Sequence, residues 1–244
     1  MDISILYEDE QVCVIDKPVG VVVNKARTVK GETIQDWAAK KFSIFNFQFS
    51  KEDKESDFYK RSGIVHRIDK ETSGILILAK TPESFNNLQG QFKERLIKKV
   101  YIAIVHGKLV PSEGEINAPI GRLPWNRERF GVVAGGKEAL TKYKVHSSQL
   151  IVHSKRKIQI SIVEVYPYTG RTHQIRVHMK YINHPIVGDY LYAGRKTARR
   201  DRNIVGRVML HAARIKFVHP VTNKTIAIKS PMPDDMNRII NSKS

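Results

Sequence analysis

A chain of 244 residues in which 41% are hydrophobic and 27% are charged holds enough apolar material for a packed core, so wholesale disorder is excluded. Apolar runs such as residues 75–79 and 101–105 are far shorter than the roughly 20 residues of a membrane-spanning helix, which excludes an integral membrane protein. The single cysteine, Cys13, excludes a disulfide scaffold and a cysteine-rich zinc site.

The net charge of +18 is unevenly distributed along the chain. Residues 1–57 hold 8 basic and 11 acidic residues, whereas residues 58–244 hold 34 basic and 13 acidic ones. Such an excess predicts a polyanionic partner, most often nucleic acid, and by itself it fits a ribosomal protein as well as an enzyme. No long amphipathic basic helix stands out, so a membrane surface is not the expected partner.

Strands dominate the first forty residues. Strands are predicted over residues 3–7 and 11–16, because branched apolar residues recur there on either side of an acidic turn at 8–10. A third short strand is predicted over 21–23, and apolar residues at helical spacing predict a helix over 33–42.

A polar stretch separates these elements from the rest of the chain. Residues 43–60 are predicted to form a polar insertion or mobile loop, since SKEDKESD at 50–57 has no apolar side chain to pack. A helix is predicted over 82–96, with Pro82 in its first turn. One face of this helix carries its large apolar residues, which are Phe85, Leu88, Phe92 and Leu96.

The second half of the chain is again rich in strands, predicted over residues 100–106, 140–146 and 158–165. A helix capped by Thr172 is predicted over 172–182. Because strands outnumber helices without regular alternation, we expect an α+β fold, with a mixed, mostly antiparallel sheet flanked by helices and loops, in a single domain over residues 1–244.

Residues 195–202, RKTARRDR, hold five basic residues and one acidic residue. A solvated surface loop and a phosphate-binding segment both fit this composition.

The segment GIVHRIDKETSG at residues 63–74 runs directly into the apolar run of 75–79. A carboxylate at the mouth of a buried strand loses hydration and needs a cation or hydrogen bonds to stay ionised, so Asp69 is a candidate catalytic group. A simple ion pair with Arg67 or Lys70 explains the pattern as well, as does an ordinary turn capped by Asp69.

A candidate cation lies in the segment YTGRTHQIRVH at residues 168–178. Arg171 follows Gly170 at a predicted strand–helix junction, where a side chain can reach into a cleft, although a capping or surface arginine also fits. His173 and His178 lie five positions apart and therefore on different helix faces, and the chain has no HExxH motif, so no metal is expected.

Together these segments resemble a known family. HRIDKETSGILILAK closely resembles the signature around the catalytic aspartate of RNA pseudouridine synthases of the RluA type, which act on ribosomal and transfer RNA. Further segments resemble other motifs of that family in the family's order, from residue 6 to residue 220. They are LYEDEQVCVIDKPVGVVV, KKVYIAIVHG, GRTHQIRVHM, HPIVGDYLY and LHAARIKFVHP.

The resemblance implies the pseudouridine synthase fold, with its bent sheet, and an isomerase that converts uridine to pseudouridine in large-subunit ribosomal RNA or transfer RNA without cofactor or metal. In that family the base is flipped out, detached from ribose, rotated and rejoined through carbon. Asp69 matches the essential aspartate, as nucleophile or as base. Arg171 matches the arginine that pairs with it, and Tyr101 matches the active-site tyrosine that can stack on uracil.

Candidate substrate contacts follow from the same motifs. Arg67 matches an arginine assigned to the gap left by the flipped base, and Ile175 matches the apolar contact behind that base. The other candidates taken from these motifs are His66, Thr72, Arg176 and Lys99.

The chain departs from the family pattern in places, with Ile68 where leucine is usual and Ala193 in the GDYLYAG segment. The first motif begins at Leu6, so no extra N-terminal RNA-binding module is expected. Target selection would then depend on loops of the catalytic domain, chiefly 43–60, 122–136 and 195–207.

The acidic N-terminus is unlike a signal peptide, which predicts a cytoplasmic protein, and no obvious apolar patch motif is present, which favours a monomer. Two classes of protein other than an enzyme could carry this charge. A non-catalytic RNA-binding or assembly protein is disfavoured by intact Asp69, Tyr101 and Arg171. A ribosomal or architectural protein explains the charge but not six ordered motifs.

Overall fold

A computed structural model of the chain describes residues 1–42, 55–153 and 156–242. Contacts divide the chain into two compact units, the first formed by Met1–Lys98 with Arg214–Ser230 and the second by Lys99–Ala213 with Pro231–Ser244. None of the helices in the described ranges reaches the length and apolarity that crossing a bilayer requires.

The first unit contains three antiparallel strands in the order β1 (Ser4–Glu8), β2 (Val12–Lys17) and β3 (Ser73–Ala79), and its last strand, β11 (Thr225–Lys229), pairs with β10 (Leu210–Val218). Strand β3 is buried along its whole length, as expected for the apolar run. The core combines apolar side chains of β2, β3 and α3. The elements are β1 (Ser4–Glu8), β2 (Val12–Lys17), α1 (Ile34–Lys41), α2 (Asp57–Lys60), β3 (Ser73–Ala79), α3 (Pro82–Lys93) and β11 (Thr225–Lys229).

The second unit contains strands β4, β9, β8 and β5 in that order, with antiparallel pairing between neighbours, and a separate β6–β7 hairpin. Its elements are β4 (Lys98–His106), β5 (Glu113–Asn117), β6 (Ile120–Leu123), β7 (Asn126–Val132), β8 (Leu140–His153), β9 (Arg156–Pro167), α4 (Gln174–Tyr181), α5 (Arg195–Asp201) and α6 (Asp234–Asn241). Strand β10 (Leu210–Val218) gives residues to both units. The α+β class with mostly antiparallel strands is confirmed.

Several predicted boundaries are wrong. Residues 21–23 form no strand, and α3 ends at Lys93 because Arg95 takes a left-handed φ of 63°, which leaves Leu96 53% exposed. Residues 195–202, for which a surface loop was one interpretation, are mostly helical.

The polar insertion predicted over 43–60 lies partly outside the described residues, which omit 43–54. Its end is helical, because the Ser56 side chain accepts a hydrogen bond from the Tyr59 amide and caps α2. The predicted loop over 122–136 includes most of the β6–β7 hairpin.

Candidate active site

The segment that leads to Asp69 lies against the end of strand β3. The Gly63 carbonyl accepts a hydrogen bond from the Ala79 amide at 2.8 Å, and Ile64 bridges to Leu78. Gly63 has φ +76°, and a Cβ added there would lie 2.1 Å from the Ala79 carbonyl oxygen. Only glycine allows this close approach, which fixes where the segment starts.

His66 holds the same segment against strand β3 at a second point. Its Nε2 accepts a hydrogen bond from the Ile77 amide at 2.9 Å, and its ring lies 4.5 Å from the ring of Phe92. These contacts give His66 a role in positioning the Asp69 segment. A substrate contact by His66 stays a prediction.

Asp69 itself is half-buried in a turn just before β3, and the Thr72 amide donates to its carbonyl at 3.1 Å. Its neighbours Ile68 and Thr72 are buried, whereas Arg67 is exposed. A carboxylate in this position is partly removed from water.

Lys17 stabilises the turn that contains Asp69. It was not identified as a site residue from the sequence. Its side chain is fully buried, and its Nζ donates to the carbonyls of Pro18 at 2.6 Å, Val21 at 2.9 Å and Lys70 at 3.2 Å. The Lys70 carbonyl also accepts from the Gly20 amide at 2.9 Å. Lys17 therefore connects the end of β2 to the residue that follows Asp69.

We expect Lys17→Met to lower the free energy of unfolding by about 2 kcal/mol, because the partly buried carbonyls of Pro18 and Val21 lose this donor at about 1 kcal/mol each, whereas the Lys70 carbonyl keeps the Gly20 amide. Urea unfolding measures the change. Lys70→Met, which removes an exposed ammonium from the same turn, is the control and should unfold like the unaltered protein. Equal midpoints for the two variants would contradict this role for Lys17.

In the second unit, Lys99 and Tyr101 lie two positions apart on β4 and so point to the same face of the strand. Both are half-buried, and Tyr101 packs against the core of its unit. Burial lowers the pKa of Lys99 to about 8, well below the ordinary lysine value of 10.5. With this pKa, Lys99 loses its charge around pH 8.

This shift predicts a pH dependence of stability. The unfolded chain binds more protons than the folded one between about pH 8 and pH 10.5, so the contribution of Lys99 to the free energy of unfolding rises with pH in that window. Lys99→Met should therefore be more stable than the unaltered protein at pH 7, and the difference should shrink by pH 10. Thermal unfolding across this range, with exposed Lys108→Met as control, measures it. A difference that does not change with pH would contradict the prediction.

Arg171 is fixed through both its backbone and its side chain. Its Nε donates to the Glu138 carbonyl at 2.9 Å, and its amide donates to Gln174 Oε1 at 3.0 Å. The segment before β8 therefore holds the half-buried guanidinium in place.

Gln174, which was not identified from the sequence, organises the Arg171 loop. It is buried, and its Oε1 also accepts from the Thr169 hydroxyl at 2.6 Å. Its Nε2 donates to the Leu140 carbonyl at 3.0 Å and to the Thr141 hydroxyl at 2.9 Å.

The predicted cap at Thr172 is wrong. Helix α4 begins at Gln174, and His173 occupies the N-cap position in a left-handed conformation with φ 56° and no side-chain cap bond. The Gln174 side chain accepts the Arg171 amide instead, so the chain turns one residue later than expected.

Ile175 and Arg176 are both buried, each 6% exposed. Ile175 belongs to the core of the second unit. Arg176 donates to both carboxylate oxygens of the fully buried Asp189, at 2.8 and 3.0 Å, and its guanidinium lies 5.0 Å from the Tyr192 ring. These contacts support the loop around Asp189, and the predicted substrate contacts of Ile175 and Arg176 stay predictions.

The predicted site residues thus fall into two groups. The first unit brings together those around the Asp69 turn, which are His66, Arg67, Asp69 and Thr72. The second unit carries the rest, on β4 and at the start of α4, which are Lys99, Tyr101, Arg171, Ile175 and Arg176.

Comparison with known proteins bears on this arrangement. The family model for RNA pseudouridylate synthase matches residues 11–181. Over 98% of its length the chain is 38% identical to ribosomal large subunit pseudouridine synthase D of Neisseria meningitidis serogroup A, of which it covers 61%. It is also 38% identical to the uncharacterized RNA pseudouridine synthase YlyB of Bacillus subtilis, with 98% of this chain and 72% of that protein covered.

The chain spans about three fifths of the length of the Neisseria relatives. Among solved structures, human RNA pseudouridylate synthase domain containing 1 superposes with a TM-score of 0.71 at 27% identity, over 94% of this chain and 83% of that one. The family model, the related sequences and the similar solved structure all confirm the resemblance that the motifs predicted. The chain belongs to the RNA pseudouridylate synthase family.

Proposed function

We propose that this chain converts uridine to pseudouridine in large-subunit ribosomal RNA, with Asp69 as the essential carboxylate. The observation that carries the proposal is the half-buried carboxylate of Asp69, held in a turn before a buried strand, in a member of this family. Relatives named for the large ribosomal subunit support this RNA as substrate.

The isomerisation breaks the bond between ribose C1′ and uracil N1 and forms a bond from C1′ to C5, while one proton leaves C5 and one joins N1. All atoms of the uridine are conserved. Asp69 acts either as the nucleophile or as the base that starts the reaction. In the family that the motifs resemble, an arginine at the position of Arg171 pairs with this carboxylate, and a guanidinium suits that role because it stays charged and can hold a carboxylate through two hydrogen bonds.

The reacting atoms of a stacked uridine are inaccessible, so the nucleotide must be flipped out of its stack, at a cost of a few kcal/mol. The exposed Arg67, two residues before Asp69, is suited to fill the gap that the base leaves. Tyr101 offers an aromatic face on which the uracil stacks. The basic region after residue 57 offsets the cost of flipping by attracting phosphates.

Mapping of pseudouridine across total RNA, from cells with and without the gene, tests the proposal. We expect at least one uridine of the large-subunit RNA to lose its modification without the gene and to regain it on complementation with the unaltered chain only, not with Asp69→Asn. Loss confined to transfer RNA would reassign the substrate. Identical maps would reject the proposal.

We further propose that the enzyme acts in the cytoplasm as a monomer and needs neither metal nor organic cofactor. Isomerisation involves no redox change and no hydrolysis, and the carboxylate and guanidinium supply the charges that the reaction needs. Activity of the purified chain should be unchanged after chelator treatment and dialysis, and the same preparation should elute at about 28 kDa in size-exclusion chromatography.

A further inference from the structure

Helix α5 presents a basic face to solvent. Of its residues and the one that follows, only Ala198 and Asp201 are buried. The exposed positions all carry positive charge, and they are Arg195, Lys196, Arg199 and Arg202. Within residues 1–42, 55–153 and 156–242 none of these four side chains forms a salt bridge with a carboxylate.

This charge pattern destabilises the helix that carries it. Arg195 and Lys196 occupy the first turn, where the helix dipole disfavours positive charge, and no acidic residue is present there. Arg195 and Arg199 are four positions apart, as are Lys196 and Arg200, so like charges face each other along the helix. An anion bound along this face would relieve both kinds of repulsion.

A buried anchor nevertheless holds the helix in place. Asp201 is fully buried, and its Oδ2 accepts from His106 Nε2 at 2.8 Å and from the Gly188 amide at 2.9 Å. The Arg200 guanidinium donates to His106 Nδ1 at 3.2 Å, which assigns the ring proton to Nε2. The side of α5 opposite its basic face is therefore attached to the end of β4 and to the Gly188 loop.

Further contacts connect the Gly188 loop to helix α4, which follows Arg171. A Cβ at Gly188, where φ is +77°, would lie 1.9 Å from the Arg207 carbonyl oxygen, so the loop is closely packed. The next residue, Asp189, holds Arg176 of α4 in a buried ion pair. The basic face is thus presented on a fixed support, and a fixed surface loses less conformational entropy on binding than a mobile loop.

We propose that the basic face of α5, formed by Arg195, Lys196, Arg199 and Arg202, binds the phosphates of the RNA substrate and so contributes to its docking. This inference rests on the proposed function for the identity of the polyanion. Three of the four residues are arginines, whose planar guanidinium can hold two phosphate oxygens at once. The exposed face has no large apolar side chain that could enter a lipid layer, which favours RNA over a membrane.

The test is a fourfold variant with Arg195→Gln, Lys196→Gln, Arg199→Gln and Arg202→Gln, which leaves the buried anchor unchanged. We expect its affinity for an unmodified transcript of large-subunit ribosomal RNA to fall about tenfold or more at 50 mM salt. The slope of log K against log salt should fall by about 3, since each lost phosphate contact removes roughly 0.7–0.9.

A control variant removes the same total charge from four other exposed positions, with Lys108→Gln, Lys216→Gln, Lys224→Gln and Lys229→Gln. Its salt slope should change by less than about 1 if these lysines do not contact phosphate. Equal slopes for the two fourfold variants would overturn the inference. So would loss of binding to phosphatidylserine vesicles by the α5 variant with unchanged RNA affinity, because that result would assign the face to membranes.

The readouts also separate this inference from the proposed function. If the unaltered chain forms pseudouridine and both fourfold variants bind RNA alike, only the inference fails. If the unaltered chain forms none and the α5 variant still loses RNA affinity, only the proposed function fails.

Discussion

Asp69→Asn is expected to abolish pseudouridine formation, with a loss of at least about 10³-fold, while the protein still folds and binds RNA. Asparagine has nearly the same shape as aspartate but carries no negative charge and is a poor nucleophile and base. The turn should survive the change, because the bond from the Thr72 amide goes to the backbone carbonyl of residue 69 and not to its side chain.

Single-turnover assays on unmodified ribosomal RNA transcripts measure this loss, and filter binding measures affinity. Glu71→Gln removes one negative charge from a half-buried position in the same turn and should keep activity within a few-fold of the unaltered chain. If Asp69→Asn retained turnover near that of Glu71→Gln, Asp69 could not be the essential carboxylate.

Arg171→Ala is expected to lower turnover about 10²–10³-fold, as removal of one stabilising charge does in other active sites, and to lower RNA affinity only a few-fold. The guanidinium is proposed to act on the Asp69 carboxylate, so its loss affects the chemical step. Arg171→Lys keeps the charge but replaces the Nε donor that now binds the Glu138 carbonyl. We therefore expect Arg171→Lys to recover part of the turnover that Arg171→Ala loses.

The comparison of turnover and affinity decides the role of Arg171. A parallel fall in both would indicate an arginine that only binds RNA, and it would remove the proposed partner of Asp69. Circular dichroism should show the same secondary structure for the two variants, since Gln174 holds the loop through the amide of residue 171, which any side chain leaves in place.

Elements with local signals could be predicted from the sequence. Helix α1 begins where Thr33 and Asp36 form a reciprocal capping box, and β3 coincides with an unbroken apolar run. Helix α5 could not be predicted in the same way. It has little apolar periodicity, and its buried anchor Asp201 binds His106, which lies 95 residues earlier in the chain.

The site shows the same division. Asp69, Tyr101 and Arg171 were found because each lies in a short segment that resembles a family motif. Lys17 and Gln174 were missed because their roles depend on hydrogen bonds to distant backbone, at Lys70 and Leu140 respectively. The sequence alone contains no information on which carbonyl a buried lysine will meet.

The burial of Lys17 makes it a natural reporter of local opening. Amine-reactive reagents reach an exposed lysine directly, but they can modify a fully buried Nζ only while the surrounding segment is transiently open. The labelling rate of this amine, followed by mass spectrometry, would therefore measure how often the loop next to Asp69 opens. A substrate analogue that binds beside Asp69 and stabilises this loop would slow the rate without touching the lysine.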